Sequence, residues 1–344
     1  MTDPDSILSR AVDAALEGAV PLSFSRVGIR VRSRLPGWPE LPEGTGAGRR
    51  VVVTGANSGL GYATARALLA AGAQVLLTVR SLEKGEQTLW QLSQDLARDV
   101  GMEASYDVLD LDSLASVRAF AERRLADEHP VDTVVHNAGA MFDERADTVD
   151  GLERTYQTHV VAPFLLTALL LPRLAEVASP RVVTVTSGGM YTQRLDTALV
   201  DTPDRYRGSV AYARAKRAQV ALTHEWARRV GHLGIGFQVV HPGWALTPGV
   251  EASLPRFRRV TGPVLRSPDE GADTVVFVAL ADGLPVGAHL WHDRRPRREH
   301  KVPWTRTDPH EADRLWQRVC RDTGIDPASE VSALRGSLGP GDAT

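Results

Sequence analysis

The sequence predicts a doubly wound α/β domain, a parallel sheet covered by helices on both faces. Three observations carry this: seven short β-branched runs, longer helical stretches between them, and a glycine-rich turn directly after the first run. Strands buried on both faces read as nearly continuous apolar runs, whereas a half-exposed strand alternates apolar with polar. No internal repeat interrupts the pattern.

Taken in order, residues 1–48 form an extension: a candidate amphipathic helix, "SILSRAVDAALEGAV", an Arg-bearing stretch, and the linker "LPGWPELPEGTGAG". The helix carries acids as well as Arg10 and no Trp, so packing on the domain is favoured over contact with a membrane surface. The domain proper spans 49–305, with strands expected at 50–55, 73–80, 104–111, 131–139, 181–187, 236–243 and 287–293. Between them, "LDSLASVRAFAERRLA" reads as a helix opening at Asp112. "SPDEGADTVVFVALA" has Ser267 and Glu270 in capping-box positions, with Pro268 in the first turn. Residues 306–344 read as a further helix and a Gly- and Ser-rich tail expected to fray.

Composition narrows the function classes. The 344 residues carry a formal net charge of −2 with acids and bases mixed, which argues against a nucleic-acid binder and for a small-molecule substrate. Cys320 is the single cysteine, so an intrachain disulfide or a cysteine metal cluster is excluded. His241, His292 and His300 lack metal-ligand spacing, and no metal is expected. No apolar run approaches the roughly 20 residues of a membrane span, and the start lacks a signal-peptide pattern, so a cytoplasmic chain is expected.

Chemistry begins at "VVVTGANSGLGYATARALLAAG", where a buried strand runs into Gly55, Asn57, Ser58, Gly59, Leu60 and Gly61 and then a helix. Glycines there let the backbone approach a diphosphate, which the helix N-terminal amides and dipole stabilise. After the second strand comes Arg80 rather than an acid. An arginine pairs with a 2′-phosphate, which favours NADP(H) over NAD(H). Asp110 and Leu111 end the third strand where adenine can lie, a reading for which Asp107 and Asp112 also compete, and Asn137 to Gly139 end the fourth in a segment small enough to pass beneath a ribose.

Ser187 ends the fifth strand, and a helix from near Ser209 carries Tyr212 and Lys216 one turn apart. Lysines are rare here, with only Lys84, Lys216 and Lys301. A hydroxyl, a phenol and an amine together can polarise and protonate a carbonyl. The ordinary tyrosine pKa of about 10 is too high for easy exchange, and a nearby ammonium is expected to lower it. Lysine suits this role because, unlike guanidinium, it can give up its proton.

Across residues 49 to 295 the chain resembles the short-chain dehydrogenases/reductases, through "TGANSGLG", "DL" at Asp110, "NAG", Ser187, "YARAK" and "HPGWALT", all in order. The resemblance implies a single Rossmann-type domain with a seven-stranded parallel sheet in three α/β/α layers, commonly a homodimer or homotetramer. It also implies an alcohol–carbonyl interconversion with Tyr212 as acid/base, Ser187 orienting the substrate oxygen, and Lys216 lowering the tyrosine pKa and holding the nicotinamide ribose. Pro242 and Gly243 would line the coenzyme, and Thr247 would contact its carboxamide. One departure stands out: His159, in "HVVAPFLLT", replaces the asparagine that supports a proton-relay water in the family. A histidine can keep such a relay and titrates near neutral pH when unperturbed. The alternative is a catalytically weak dinucleotide sensor, to which His159 and the extension lend support. Met190, Trp244 and Phe257 fall on loops that would border the substrate or simply pack, Tyr191 is read as a pocket or surface residue rather than an acid, and loops 188–209 and 245–266 would shield the reaction.

Overall fold

The computed structural model describes residues 4–101, 103–201, 205–246, 262–285 and 287–328. Among them one sheet holds eight strands: β1 (Arg50–Thr54), β2 (Gln74–Val79), β3 (Ala104–Val108), β4 (Thr133–His136), β5 (Arg181–Val185), β6 (Gly236–Val240), β7 (His289–His292) and β8 (Arg295–Arg297). Their order is β3-β2-β1-β4-β5-β6-β7-β8, and all neighbours are parallel except β7 and β8. The order reverses between β1 and β4, and on such sheets ligands bind outside the carboxyl ends of the strands at that point.

The seven parallel strands are those expected, but each is shorter. Leu109 to Leu111, Asn137 to Gly139, Thr186 with Ser187, and His241 to Gly243 all lie past the last strand residue. They leave the sheet where the cavity opens. The eighth strand was not expected, because Arg-Pro-Arg has no apolar signal. On the sheet edge a proline is tolerated and charges discourage further pairing.

Alternation along the strands explains the three layers. Val51 and Val53 join Leu68, Leu69, Leu92, Val275 and Phe277, from α4 (Gly59–Ala70), α5 (Leu82–Asp95) and α9 (Pro268–Leu280), on one face. Val52, between them, joins Phe120, Phe164, Leu165 and Trp226, from α6 (Leu114–Leu125), α7 (Arg154–Leu174) and α8 (Gly208–Val230), on the other. Trp316 of α10 (Pro309–Thr323) closes that second core against Phe164 and Trp226, with ring centroids 4.9 and 4.8 Å away. Complete burial of each such side chain stabilises by roughly 1.5–3 kcal/mol. Helix α7 is apolar enough to cross a membrane by composition, but 83% of that stretch is buried in the fold.

The helix ends follow their signals with one shift. Ser267 and Glu270 form the expected capping box of α9. Helix α6 starts at Leu114, capped by Ser113, rather than at Asp112. The Asp112 carboxylate instead accepts from Arg154 and Thr158, each at 2.7 Å. The extension folds as α1 (Pro4–Gly18), α2 (Val20–Phe24) and α3 (Arg26–Arg32). The last was hidden because "RVGIRVR" alternates like a strand. Asp13 of α1 meets Arg32 and Arg297 at 2.7 Å and Glu17 meets Lys301, so α1 packs on the domain through its acidic side. The frayed tail expected at the C-terminus lies, from 329 onward, outside the described residues.

Candidate active site

The glycine turn after β1 is compact because its backbone is. Gly55 has φ +65°, and a Cβ on Gly61 would stand 2.3 Å from the Gly55 carbonyl and 2.4 Å from Asn137 Nδ2. Only glycine at 61 lets the first turn of α4 close on this loop. Its unpaired amides then face a cavity of about 910 Å³, the setting in which a helix N-terminus holds an anion.

That cavity runs along the carboxyl ends of the strands. Gly55, Asn57, Ser58, Gly59, Leu60 and Gly61 line one part, with Arg80, Asp110 and Leu111, and then Asn137 and Gly139, beside it. Ser187, Tyr212, Lys216, Pro242 and Gly243 complete it. Of the residues singled out in the sequence, His159 is buried behind the wall, Met190 and Tyr191 pack with Phe24 instead of lining the cavity, and Thr247 and Phe257 lie outside the described residues. Exposed Arg80 makes no ion pair among the described residues. Asn137 is committed to the scaffold: its Nδ2 donates to the Thr54 carbonyl at 3.0 Å, and its backbone amide donates to Thr54 Oγ1.

Ser187 follows β5, and α8 presents Tyr212 and Lys216 to it. The Ser187 hydroxyl stands near enough to the Tyr212 phenol to favour its ionised form slightly. Lys216 is 3% exposed, and its Nζ donates to the Val185 carbonyl at 2.9 Å and stands 5.4 Å from the Tyr212 ring centroid. Burial without a carboxylate partner lowers the Lys216 pKa to about 7. The expected lowering of the Tyr212 pKa is corrected. Burial raises it, and the nearby Ser187 hydroxyl offsets only part of that rise. Lys216 does not offset that rise, being itself only half charged near neutrality. Tyr212 is therefore a protonated phenol at neutral pH, the form that can donate a proton.

His159 sits in a π-helical turn, Gln157–Val161, within α7. Such turns are rare and concentrate at functional sites. Its Nε2 donates to the Ala140 carbonyl at 2.8 Å, its ring stands edge-on to Tyr212 with centroids 5.2 Å apart, and its carbonyl accepts from Gln219 at 2.8 Å. Burial first, and the Lys216 charge second, lower its pKa to about 3. The expectation that it titrates near neutral pH is thereby overturned. Nδ1 is buried with no hydrogen-bond partner among the described residues.

Sequence reasoning missed several contributors. Phe142 and Arg154 line the cavity, the guanidinium 4.2 Å from the Phe142 ring centroid, and Thr186 Oγ1 donates to the Lys216 carbonyl at 3.0 Å. His241 and His292, far apart in sequence, bring their Nδ1 atoms within 3.4 Å. Arg266 lies 3.4 Å from His292, so the pair borders a fixed positive charge and is a poor cation site. Nothing local in the sequence marks these contacts, because each joins distant segments.

Comparison with known proteins agrees with this geometry. The short chain dehydrogenase family profile matches residues 49–256. Dehydrogenase/reductase SDR family member 12 from Bos taurus is 39% identical over 278 residues, 78% of this chain and 84% of that protein. Retinol dehydrogenase 12 from Homo sapiens is 35% identical over 281 residues, 81% and 87% of the two chains. Among solved structures, an uncharacterized protein from Mycobacterium Paratuberculosis aligns with TM-score 0.66 at 29% identity, covering 83% of this chain and 97% of its own. The Pseudomonas aeruginosa RhlG/NADP complex shares the fold, with TM-score 0.59 at 24% identity over 74% and 98% of the two chains. These relatives, retinol dehydrogenases 12 and 14 among them, correct the cytoplasmic expectation, because they conflict with a purely cytoplasmic placement. The chain belongs to the short-chain dehydrogenase/reductase family and is an oxidoreductase acting on CH–OH groups.

Proposed function

We propose that the protein uses NADP(H) to interconvert an apolar, lipid-like alcohol and its aldehyde or ketone. The observation that carries this is the convergence of the Ser187–Tyr212–Lys216 group and the glycine cradle on one cavity. NADP(H), when bound, supplies or accepts the hydride. Gly55 to Gly61 would hold its diphosphate, and Arg80, lacking a carboxylate partner among the described residues, would meet the 2′-phosphate.

The chain's own residues manage orientation and the proton. Ser187 holds the substrate oxygen beside the Tyr212 hydroxyl, and the protonated phenol donates to the carbonyl oxygen as hydride arrives. The Lys216 ammonium then stabilises the phenolate and, with a pKa of about 7, can return a proton to it. Met141, Phe142 and Trp244 give the cavity an apolar lining suited to a lipid-like substrate, and the names of the retinol dehydrogenase relatives agree with that class.

Consumption of NADPH, followed at nicotinamide absorbance with retinal and a panel of smaller carbonyls, tests the reading. Wild type should turn over with NADPH preferred to NADH, Arg80→Ala should narrow that preference about tenfold, and Tyr212→Phe should lose activity by about 100-fold or more. NADPH binding without turnover would instead support a dinucleotide sensor.

A further inference from the structure

The N-terminal extension does not merely cover the domain; it reaches the wall of the cavity. Phe24, 2% exposed, ends α2 with its ring against His241 at 4.3 Å, His292 at 5.1 Å, Tyr191 at 5.7 Å and Trp244 at 5.9 Å between centroids. Its carbonyl accepts from the Trp244 backbone amide at 2.7 Å. Trp244 and Gly188 both line the cavity. A Cβ on Gly188 would meet Trp244 Nε1 at 3.5 Å and Phe24 Cε2 at 3.8 Å, so Phe24 backs both walls.

Arg266 fastens this arrangement. Its side chain, 1% exposed, donates to the carbonyls of Phe24 at 3.1 Å and Ser23 at 2.8 Å, while its backbone amide donates to the Trp244 carbonyl at 2.8 Å. The guanidinium lies against Gly243, whose φ is +79° and whose hypothetical Cβ would fall 2.3 Å from Arg266 Nε. Asp293 bonds Arg266 at 2.6 Å and Arg32 of α3 at 2.6 Å. The strip from Pro242 to Ala245 is thus clamped between the cavity on one side and α2 and α3 on the other.

We propose that the segment from Val20 to Arg32 belongs to the coenzyme-binding machinery, with Phe24 as the positioning residue that fixes the Pro242–Ala245 strip against the nicotinamide end of the dinucleotide. This rests on the coenzyme reading given above. Phe24 touches neither coenzyme nor substrate; it acts through Trp244 and Gly188. The adenosine end, where Arg80, Asp110 and Leu111 line the cavity, shares no hydrogen bond or ring contact with Phe24 among the described residues, so binding there is expected not to depend on it.

That asymmetry supplies the test. In the full chain, NADPH and 2′,5′-ADP, which carries only the adenosine half, are titrated against wild type, Phe24→Ala and Phe24→Leu, with Leu8→Ser on the exposed side of α1 as a control. For Phe24→Ala the Kd for NADPH should rise about tenfold and kcat fall about 10- to 100-fold, while 2′,5′-ADP binds as in wild type. Leu retains apolar volume and should give the same pattern at about two- to threefold, so the comparison survives if the alanine variant does not fold. Equal losses for both ligands, or loss for neither, would overturn the positioning role. Failure of wild type to bind NADPH would overturn the coenzyme reading itself, and this inference with it.

Discussion

Lys216 and Arg266 are both buried cations beside one cavity, held in opposite ways. Arg266 faces the Asp293 carboxylate, which also takes Arg32, and its remaining donors reach backbone carbonyls. Lys216 has a single carbonyl, Val185, and no carboxylate among the described residues. Pairing fixes the first charge, and its want of a partner lets the second titrate near pH 7. The clamp therefore uses an arginine and the proposed proton carrier a lysine, and this explains why an otherwise arginine-rich chain keeps an amine at 216.

The largest effect should come from erasing that difference. Lys216→Arg puts a permanent charge where a titrating one stood, and kcat should fall about 100-fold or more. The sign of the pH response follows from the lowered pKa. The ammonium is present below about 7 and lost above it, so kcat/KM for carbonyl reduction should decline as pH rises through 7, and the variant should lack that limb. Stability runs the other way. Between about 7 and the ordinary lysine value of 10.5 the unfolded chain holds a proton that the native amine does not, so native stability rises with pH across that window. A wild-type rate limb that persisted in Lys216→Arg would assign it to another group.

Next in size is loss of the pairing itself. Asp293→Asn leaves Arg266 buried without a counter-charge and Arg32 with only Asp13 and Glu17, which should destabilise by about 3–5 kcal/mol and lower Tm by about 10 °C. The Asp293 carboxyl is held well below the ordinary carboxylate range despite burial, by His292 and Arg266 first. Its contribution is therefore present above the ordinary carboxylate pKa and is lost only as pH falls through the depressed native one. Thermal melts of both variants set the two cations side by side: Lys216→Arg should cost activity and Asp293→Asn mainly stability.

The same contrast separates what could be read in the sequence from what could not. Gly55 to Gly61, Asp110, Asn137 to Gly139, and Tyr212 with Lys216 are short-range patterns: a strand end, a turn, one helix turn. They were legible because backbone geometry dictates residue type within a few positions. The clamp joins residues 23 to 32, 241 to 244, 266 and 293, and no local pattern ties Phe24 to Trp244. Nor does sequence reveal a sign change such as that at Tyr212. A phenol four residues from a lysine reads as acidified, whereas burial of both groups raises one pKa and lowers the other.

The smallest predicted effect concerns His159, which borders Tyr212 and feels the Lys216 charge without carrying the proton itself. Its pKa of about 3 keeps the ring neutral throughout the working range, so it cannot supply a titrating step near pH 7. What it holds is geometry: Nε2 fixes the Ala140 carbonyl, the ring edge supports Tyr212, and the hypothetical Cβ of Gly139 would fall 2.4 Å from its Cε1. Asparagine is smaller but retains a donor for Ala140. His159→Asn should therefore change kcat by less than about tenfold and leave the limb near pH 7 in place, because that limb belongs to Lys216. A shift of the limb by about 1 pH unit or more would mean that His159 does more than hold Tyr212 in place.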